Sequence, residues 1–253
     1  MRPNKVKQLW REGKPVRATW CTTGDALTAE VLGNAGFDAV LLDSQHGFGI
    51  DPRTAGLVYQ AISSTPAVPM VRVPWNDPVH IQYALDAGAY GVIVPLVNTP
   101  EEAARAAGAT RYPPVGFRSN GPNRVTLYAG GDYVEQANNE IICLVMIETL
   151  EAISNLEAIA ATPGIDGFFI GPGDLAMSMG LPAGIGSNSP EWEANVLHVR
   201  DVAHAHGLVV GIAPFGAADA RRRTDMGFQF CPMGSDWGYL AQGAKAALEA
   251  FGL

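Results

Sequence analysis

Cysteine, charge and long apolar runs are all in short supply in this sequence. Its 253 residues hold only 3 cysteines. Cys21, Cys143 and Cys231 are too scattered for a disulfide framework or a Cys-x-x-Cys metal site, and they suit a reducing cytoplasm. Charged residues make up 17% of the chain against about 25% in an average soluble domain, so less surface than usual is built to face water. That points to an oligomer. No run of about 18 apolar residues occurs, so no membrane-spanning helix is expected. The N-terminal stretch passes from Lys5-Val6-Lys7 to Gln8-Leu9-Trp10-Arg11-Glu12 without the apolar segment of a secretory signal. Basic residues are in deficit, 17 against 25 acidic ones for a net charge of −8, which argues against nucleic acid or an anionic membrane as partner. The one basic run, Arg221-Arg222-Arg223, is expected on a solvated helix face. A soluble cytoplasmic protein acting on a small molecule is what these absences leave.

What is present is a regular alternation. Hydrophobic residues reach 47%, enough for a core, and 29 Gly with 18 Pro call for many tight connections between short elements. Runs rich in Val, Ile, Leu and Phe give eight strand candidates: Val16–Trp20, Ala39–Asp43, Met70–Val73, Gly91–Val94, Ile142–Ile147, Gly167–Ile170, Val209–Ile212 and Phe228–Met233. A helix candidate follows each: Asp25–Ala35, Pro52–Ser63, Pro78–Asp86, Pro100–Thr110, Leu150–Ala161, Glu191–His206, Gly216–Met226 and Asp236–Ala250. Asp51-Pro52 and Asp77-Pro78 each supply a capping carboxylate and a first-turn proline, while Gly36, Gly88, Gly207 and Gly227 stand where left-handed caps are expected. Near-continuous apolar strands separated by helices specify a parallel sheet. Eight such units in about 250 residues predict an α/β fold, a (β/α)8 TIM barrel spanning residues 1–253 as a single domain, with an open doubly wound sheet as the alternative. Arg111–Glu140, rich in Pro, Gly and Asn, breaks the rhythm and reads as a lid, a site loop or a subunit contact.

In such a barrel the chemistry sits at the C-terminal ends of the strands, so each reactive side chain is judged by its place in its βα unit. Lys5, Lys7, Lys14 and Lys245 end no strand, which removes the nucleophile of a Schiff-base mechanism. Of the 5 histidines only His46 directly follows a strand. It shares Asp43-Ser44-Gln45-His46-Gly47 with Asp43, either as a base held by that carboxylate or as a loop histidine bonded to backbone. Arg72, near the end of its strand, either forms a buried ion pair with a neighbouring Asp or grips a substrate carboxylate or keto oxygen. Glu148 and Asp174 follow consecutive strands, which lie about 4.8 Å apart in a sheet, so the two carboxylates can converge. Two oxygen ligands completed by water and substrate suit Mg²⁺ or Mn²⁺ rather than a closed zinc site. The alternative pairs Glu148 with Arg72 and leaves Asp174 capping a helix. Gly173 and Asp174 open a short predicted helix, Leu175–Met179, whose free N–H groups can hold a small carboxylate. Cys21 reads as a packed thiol, and the loops beginning at Ala213 and Met233 make only a modest case for a phosphate site.

Several blocks carry a family resemblance along nearly the whole chain: Asp43-Ser44-Gln45-His46-Gly47, Val71-Arg72-Val73-Pro74-Trp75-Asn76-Asp77-Pro78, Leu85-Asp86-Ala87-Gly88-Ala89, Val94-Pro95-Leu96-Val97-Asn98, Arg111-Tyr112-Pro113-Pro114-Val115-Gly116, Ile147-Glu148-Thr149 and Gly171-Pro172-Gly173-Asp174-Leu175. Together they resemble the HpcH/HpaI aldolase family, the metal-dependent class II pyruvate aldolases of the phosphoenolpyruvate/pyruvate TIM-barrel group. The resemblance implies that Glu148 and Asp174 ligate a divalent cation, Mg²⁺, Mn²⁺ or Co²⁺, and that Arg72 orients pyruvate and stabilises its enolate. It further implies that His46 moves protons with Asp86 as dyad partner, that Gly173 and Asp174 offer backbone N–H groups to the pyruvate carboxylate, and that Trp20 lines the pocket. The family's assembly, a hexamer built as a trimer of dimers that exchange their last helix, agrees with the low charge content. Met146 stands where family prototypes carry Gln, and Gln45 where Glu often precedes the histidine, so substrate preference does not transfer directly. The reaction expected is reversible cleavage of a 4-hydroxy-2-oxo acid into pyruvate and an aldehyde. The alternatives are a malyl- or citryl-thioester lyase, against which stands the lack of a basic patch, and a non-catalytic pyruvate-binding barrel.

Overall fold

The computed structural model describes residues 1–182 and 189–252. Its frame is a parallel sheet of seven strands hydrogen-bonded in chain order: β1 (Ala18–Cys21), β2 (Ala39–Asp43), β3 (Val68–Arg72), β4 (Gly91–Val94), β5 (Ile142–Ile147), β6 (Gly167–Ile170) and β7 (Val209–Ile212). β2 (Ala-Val-Leu-Leu-Asp) and β5 (Ile-Cys-Leu-Val-Met-Ile) are buried at every position, as parallel strands covered on both faces must be. Inside the curve of the sheet, Phe169 packs edge-on against both Trp20 and Phe230.

Helices connect and cover these strands. Among the described residues they are α1 (Lys5–Arg11), α2 (Ala26–Asn34), α3 (Pro52–Ser63), α4 (Pro78–Ala87), α5 (Pro100–Thr110), α6 (Asn123–Ala129), α7 (Tyr133–Glu140), α8 (Leu150–Ser154), α9 (Leu156–Ala160), α10 (Pro172–Ser178), α11 (Pro190–Ala205), α12 (Gly216–Asp225) and α13 (Asp236–Phe251). The expected caps form: Asp51 accepts from Thr54 N and Asp77 from Val79 N, each followed by its proline.

Phe228–Met233, expected as an eighth strand, instead makes isolated bridges to both edges of the sheet. Phe230 pairs in parallel with Gly211 of β7 and with Val16 ahead of β1, and Met233 N donates to Ala18 O. Pro232, in the middle of the segment, has no N–H to extend a ladder. The architecture is therefore an α/β fold with a curled seven-stranded parallel sheet, consistent with a TIM-barrel-like arrangement.

Other expectations shift in register. The predicted helix Leu150–Ala161 is broken at Asn155, whose Nδ2 donates to Asn98 O at 2.8 Å. The short helix expected from Leu175 begins at Pro172, which puts Gly173 and Asp174 inside its first turn. Arg111–Glu140 contains α6 and α7, which bury Val125, Tyr133 and Ala137. The arginine run is not wholly solvated: Arg223 is buried against Trp192 and Phe228 and makes a two-armed pair with Glu193 at 2.6 and 2.8 Å. Its neighbours Arg221 and Arg222 are exposed, because three successive residues point about 100° apart around a helix and the third turns inward.

Candidate active site

Four strand ends meet at one rim, and the sheet register decides which side chains face each other there. Asp43 and Arg72 are register partners at the ends of β2 and β3. Their side chains close a two-armed ion pair, Arg72 Nε to Asp43 Oδ1 at 3.0 Å and Nη2 to Oδ2 at 2.6 Å. The same Oδ1 accepts the backbone N–H groups of Gln45 and His46 at 3.2 Å, so one carboxylate fixes both the guanidinium and the turn that carries His46. The carboxylate thus reaches His46 through its backbone, and the imidazole itself is exposed at the rim. Trp20, one residue before the end of β1, lies under Arg72 with the guanidinium carbon 4.9 Å from the ring centre.

Glu148 follows β5 and is buried. Its Oε1 accepts the backbone N–H of Leu96 at 2.7 Å. Leu96 is the non-glycine residue with positive φ, at 52°, among the described residues. Its loop is held in that form from three sides: Asn98 N donates to Glu102, Thr149 Oγ1 to Asn98 Oδ1, and Asn155 Nδ2 to Asn98 O. Glu148 Oε2 stands over Gly171, where a Cβ would come within 2.1 Å of it, so only glycine leaves room for the carboxylate. Burial pushes the Glu148 carboxyl up to about 7, and the nearby charge of Asp174 adds to the rise while the Leu96 N–H and the Arg72 charge oppose it. A buried carboxylate beside a second carboxylate, with Oε2 free of a hydrogen bond among the described residues, is the donor chemistry a hard divalent cation accepts. Glu148 and Asp174 therefore fit such an ion.

The structure brings Asp43, Arg72, Trp20 and Glu148 together, with Asp174 on the first turn of α10 in electrostatic reach of Glu148. Asp86 is placed elsewhere. It lies near the C-terminal end of α4, just before the chain re-enters the sheet, and its carboxylate accepts from Arg118 Nη2 at 2.7 Å rather than from His46. Cys21 is buried, and burial together with the charge of Asp236 pushes its thiol up to about 12, in keeping with a packed thiol. Two contributors escape sequence reasoning. Leu96 matters through its backbone, which carries no residue-type signal, whereas Asp236 accepts from the N–H and hydroxyl groups of both Thr22 and Thr23 and pins the loop after β1. Only its position after the capping Ser235 marks Asp236 in the sequence.

Comparison with known proteins gives a consistent set of relatives. The sequence pattern of the HpcH/HpaI aldolase/citrate lyase family matches residues 18–242. A hydroxypyruvate/pyruvate aldolase of Rhizorhabdus wittichii is 41% identical over 245 residues, 97% of each chain. A 5-keto-4-deoxy-D-glucarate aldolase of Salmonella arizonae is 39% identical over 252 residues, covering 98% of this chain and 97% of the relative. The crystal structure of an HpcH/HpaI aldolase/citrate lyase family protein from Burkholderia cenocepacia superposes with a TM-score of 0.90 at 32% identity, over 98% of this chain and 99% of that one.

Proposed function

Because the chain belongs to the HpcH/HpaI aldolase/citrate lyase family and is a carbon–carbon lyase of the aldolase type, we propose that it reversibly cleaves a 4-hydroxy-2-oxo acid into pyruvate and an aldehyde. Suitable substrates are 4-hydroxy-2-oxoheptanedioate or a 2-keto-3-deoxy sugar acid. The observation that carries this reading is the juxtaposition of a buried Glu148, an adjacent Asp174 and an Arg72 fork locked on Asp43 at neighbouring strand ends.

Glu148 and Asp174 are the residues to hold a divalent cation, Mg²⁺, Mn²⁺ or Co²⁺, which when bound polarises the 2-keto and carboxylate oxygens as a Lewis acid. The chain's own groups do the rest. Arg72 is tied to Asp43 through Nε and Nη2, which leaves the Nη1 hydrogens for the keto oxygen and adds positive charge where the enolate forms. Backbone N–H groups of Gly173 and Asp174, in the first turn of α10, receive the pyruvate carboxylate, and Trp20 lines the pocket. His46 takes the proton of the 4-hydroxyl as the C3–C4 bond breaks and its electrons pass into the enolate. Proton return to C3 completes the pyruvate methyl group. Base catalysis of this kind contributes roughly 10²–10⁴-fold. Asp86 accepts from Arg118 within its own chain, and its role as dyad partner of His46 is part of the same proposal.

We further read the working form as a closed (β/α)8 barrel of one domain, located in the cytoplasm and assembled as a hexamer, a trimer of dimers exchanging α13. The low charge content and the uncovered apolar side chains of α13 support that assembly. Neither nucleic acid nor a membrane is a partner in this reading, which the net charge of −8 supports; separately, among the described residues no helix is long and apolar enough to cross a membrane. The test is pyruvate release from a panel of 4-hydroxy-2-oxo acids before and after chelation. Cation-dependent release from at least one of them is expected, and binding of desulfo-coenzyme A without release from any would favour a thioester lyase instead.

A further inference from the structure

Buried arginines in this chain pair with carboxylates: Arg111 with Asp166, Arg118 with Asp86 and Arg223 with Glu193. Two arginines at the strand-start edge of the fold, the exposed Arg2 and the half-buried Arg124, stand apart from these. Arg2 and Arg124 have no carboxylate within ion-pair reach among the described residues, and both line a groove of about 430 Å³ with Gln60, Ser63, Ser64 and Tyr128. Among the described residues no acidic side chain lines it.

Both guanidiniums are held in place. Arg124 donates to Ala87 O at 3.0 Å and to Ser63 Oγ at 2.9 Å, bridging the C-terminal ends of α4 and α3. Burial lowers its pKa from the usual arginine value, so its charge is desolvated without a full opposite charge in return. The guanidinium carbon of Arg2 lies 4.2 Å over the Tyr128 ring centre, and its backbone N–H is anchored on Ala129 O. The serine hydroxyls donate inward, Ser63 to Tyr59 O and Ser64 to Ala61 O, which leaves them as acceptors only. Donors for a ligand are therefore the two guanidiniums, with the Gln60 amide and the Tyr128 hydroxyl beside them. A cation is repelled here and a neutral ligand leaves both charges uncompensated. An oxyanion meets two fork-shaped donors, and the volume suits a small metabolite.

We propose that this groove is a second ligand site for a small oxyanion, a phosphate- or carboxylate-bearing metabolite, at the opposite end of the sheet from the catalytic rim. α3 ends at Ser63 and β3 starts at Val68, whereas Arg72 stands at the far end of that strand, so the two sites are separate.

The full chain is titrated by calorimetry with inorganic phosphate, with acetate as the carboxylate arm and chloride as the control, at constant ionic strength. Saturable binding of either anion is expected, and whichever binds tighter identifies the class. The Arg72→Gln variant should keep this binding, which separates the groove from the rim. Arg2→Gln, an exposed change that leaves the helix ends tied, should weaken it by about tenfold or more, the loss of one charge-assisted contact. Arg124→Gln should abolish it. No saturation beyond the chloride control, unchanged affinity in Arg2→Gln, or loss in Arg72→Gln overturns the proposal.

Discussion

The missing side chain at Gly171 decides where Glu148 can put its carboxylate, since a Cβ there would meet Oε2 at 2.1 Å and the Glu148 Cβ at 2.9 Å. Gly171→Ala should displace the Glu148 carboxylate and weaken divalent-cation affinity by about 10–100-fold in protein whose circular dichroism shows it folded, as loss of a supporting group around a ligand does. Cation titration calorimetry reads this directly, and unchanged affinity contradicts the placement. On the other side of Glu148, Leu96 accepts a left-handed conformation that costs about 1–2 kcal/mol for a residue with a Cβ, and it does so to aim an N–H at Oε1. Arg72 is the second residue whose geometry matters. Lysine keeps the charge but cannot bind Asp43 through two arms and still face the substrate, so Arg72→Lys should lower kcat for pyruvate release by about 10²–10³-fold. A change below tenfold would remove Arg72 from enolate stabilisation.

At the scale of elements, much of the architecture is legible in the sequence because helix ends and strand ends have local chemistry. Asp51 and Asp77 cap as their Asp-Pro pairs promise, and β2, β4, β5, β6 and β7 begin and end where the apolar runs do. The site follows from the same logic: ends of consecutive strands must neighbour each other, which brings Glu148 toward Asp174 and Asp43 toward Arg72. What local chemistry does not carry is long-range. The isolated bridges of Phe230 in place of an eighth strand, the inward turn of Arg223 and the left-handed Leu96 all depend on partners distant in sequence. Asp38 shows how such partners tie elements together. It precedes β2 and pairs with Arg17 ahead of β1 and with Lys5 of α1. Burial alone would raise its pKa, but the bonds from Arg17 and Lys5 outweigh burial and bring it from 3.8 down to about 2. A carboxylate with a depressed folded pKa contributes stability that is full above the unfolded value and is lost as pH falls through the folded one. Urea unfolding should therefore find wild type more stable than Asp38→Asn at pH 6, with the gap closing between about pH 4 and pH 2. A gap that does not change with pH would contradict the assignment.

At the scale of the whole molecule, α13 is the element its own chain covers least. Asp236 is buried at its start, but every residue from Leu240 to Phe251 is exposed, including Leu240, Leu248 and Phe251. Leu27 and Val31 on α2 are exposed as well, and a lone soluble chain rarely leaves so much apolar surface open. In the proposed assembly α13 is the exchanged element, so removing residues 240–253 should leave a folded chain of lower oligomeric order, which sedimentation velocity would resolve. Retention of the full assembly would show that α13 does not hold it together.

On the proposed function, Glu148 and Asp174 hold a cation which, with Arg72, makes the pyruvate enolate accessible. That chemistry is read out by exchange of the pyruvate methyl protons in D₂O, followed by NMR with metal-stripped protein and again after restoring Mg²⁺, Mn²⁺ or Co²⁺. Exchange should appear only when a cation is restored and should vanish in Glu148→Gln. Exchange that persists in the stripped protein, or that fails with every cation in folded protein, would remove Glu148 and Asp174 from a cation-assisted enolate chemistry.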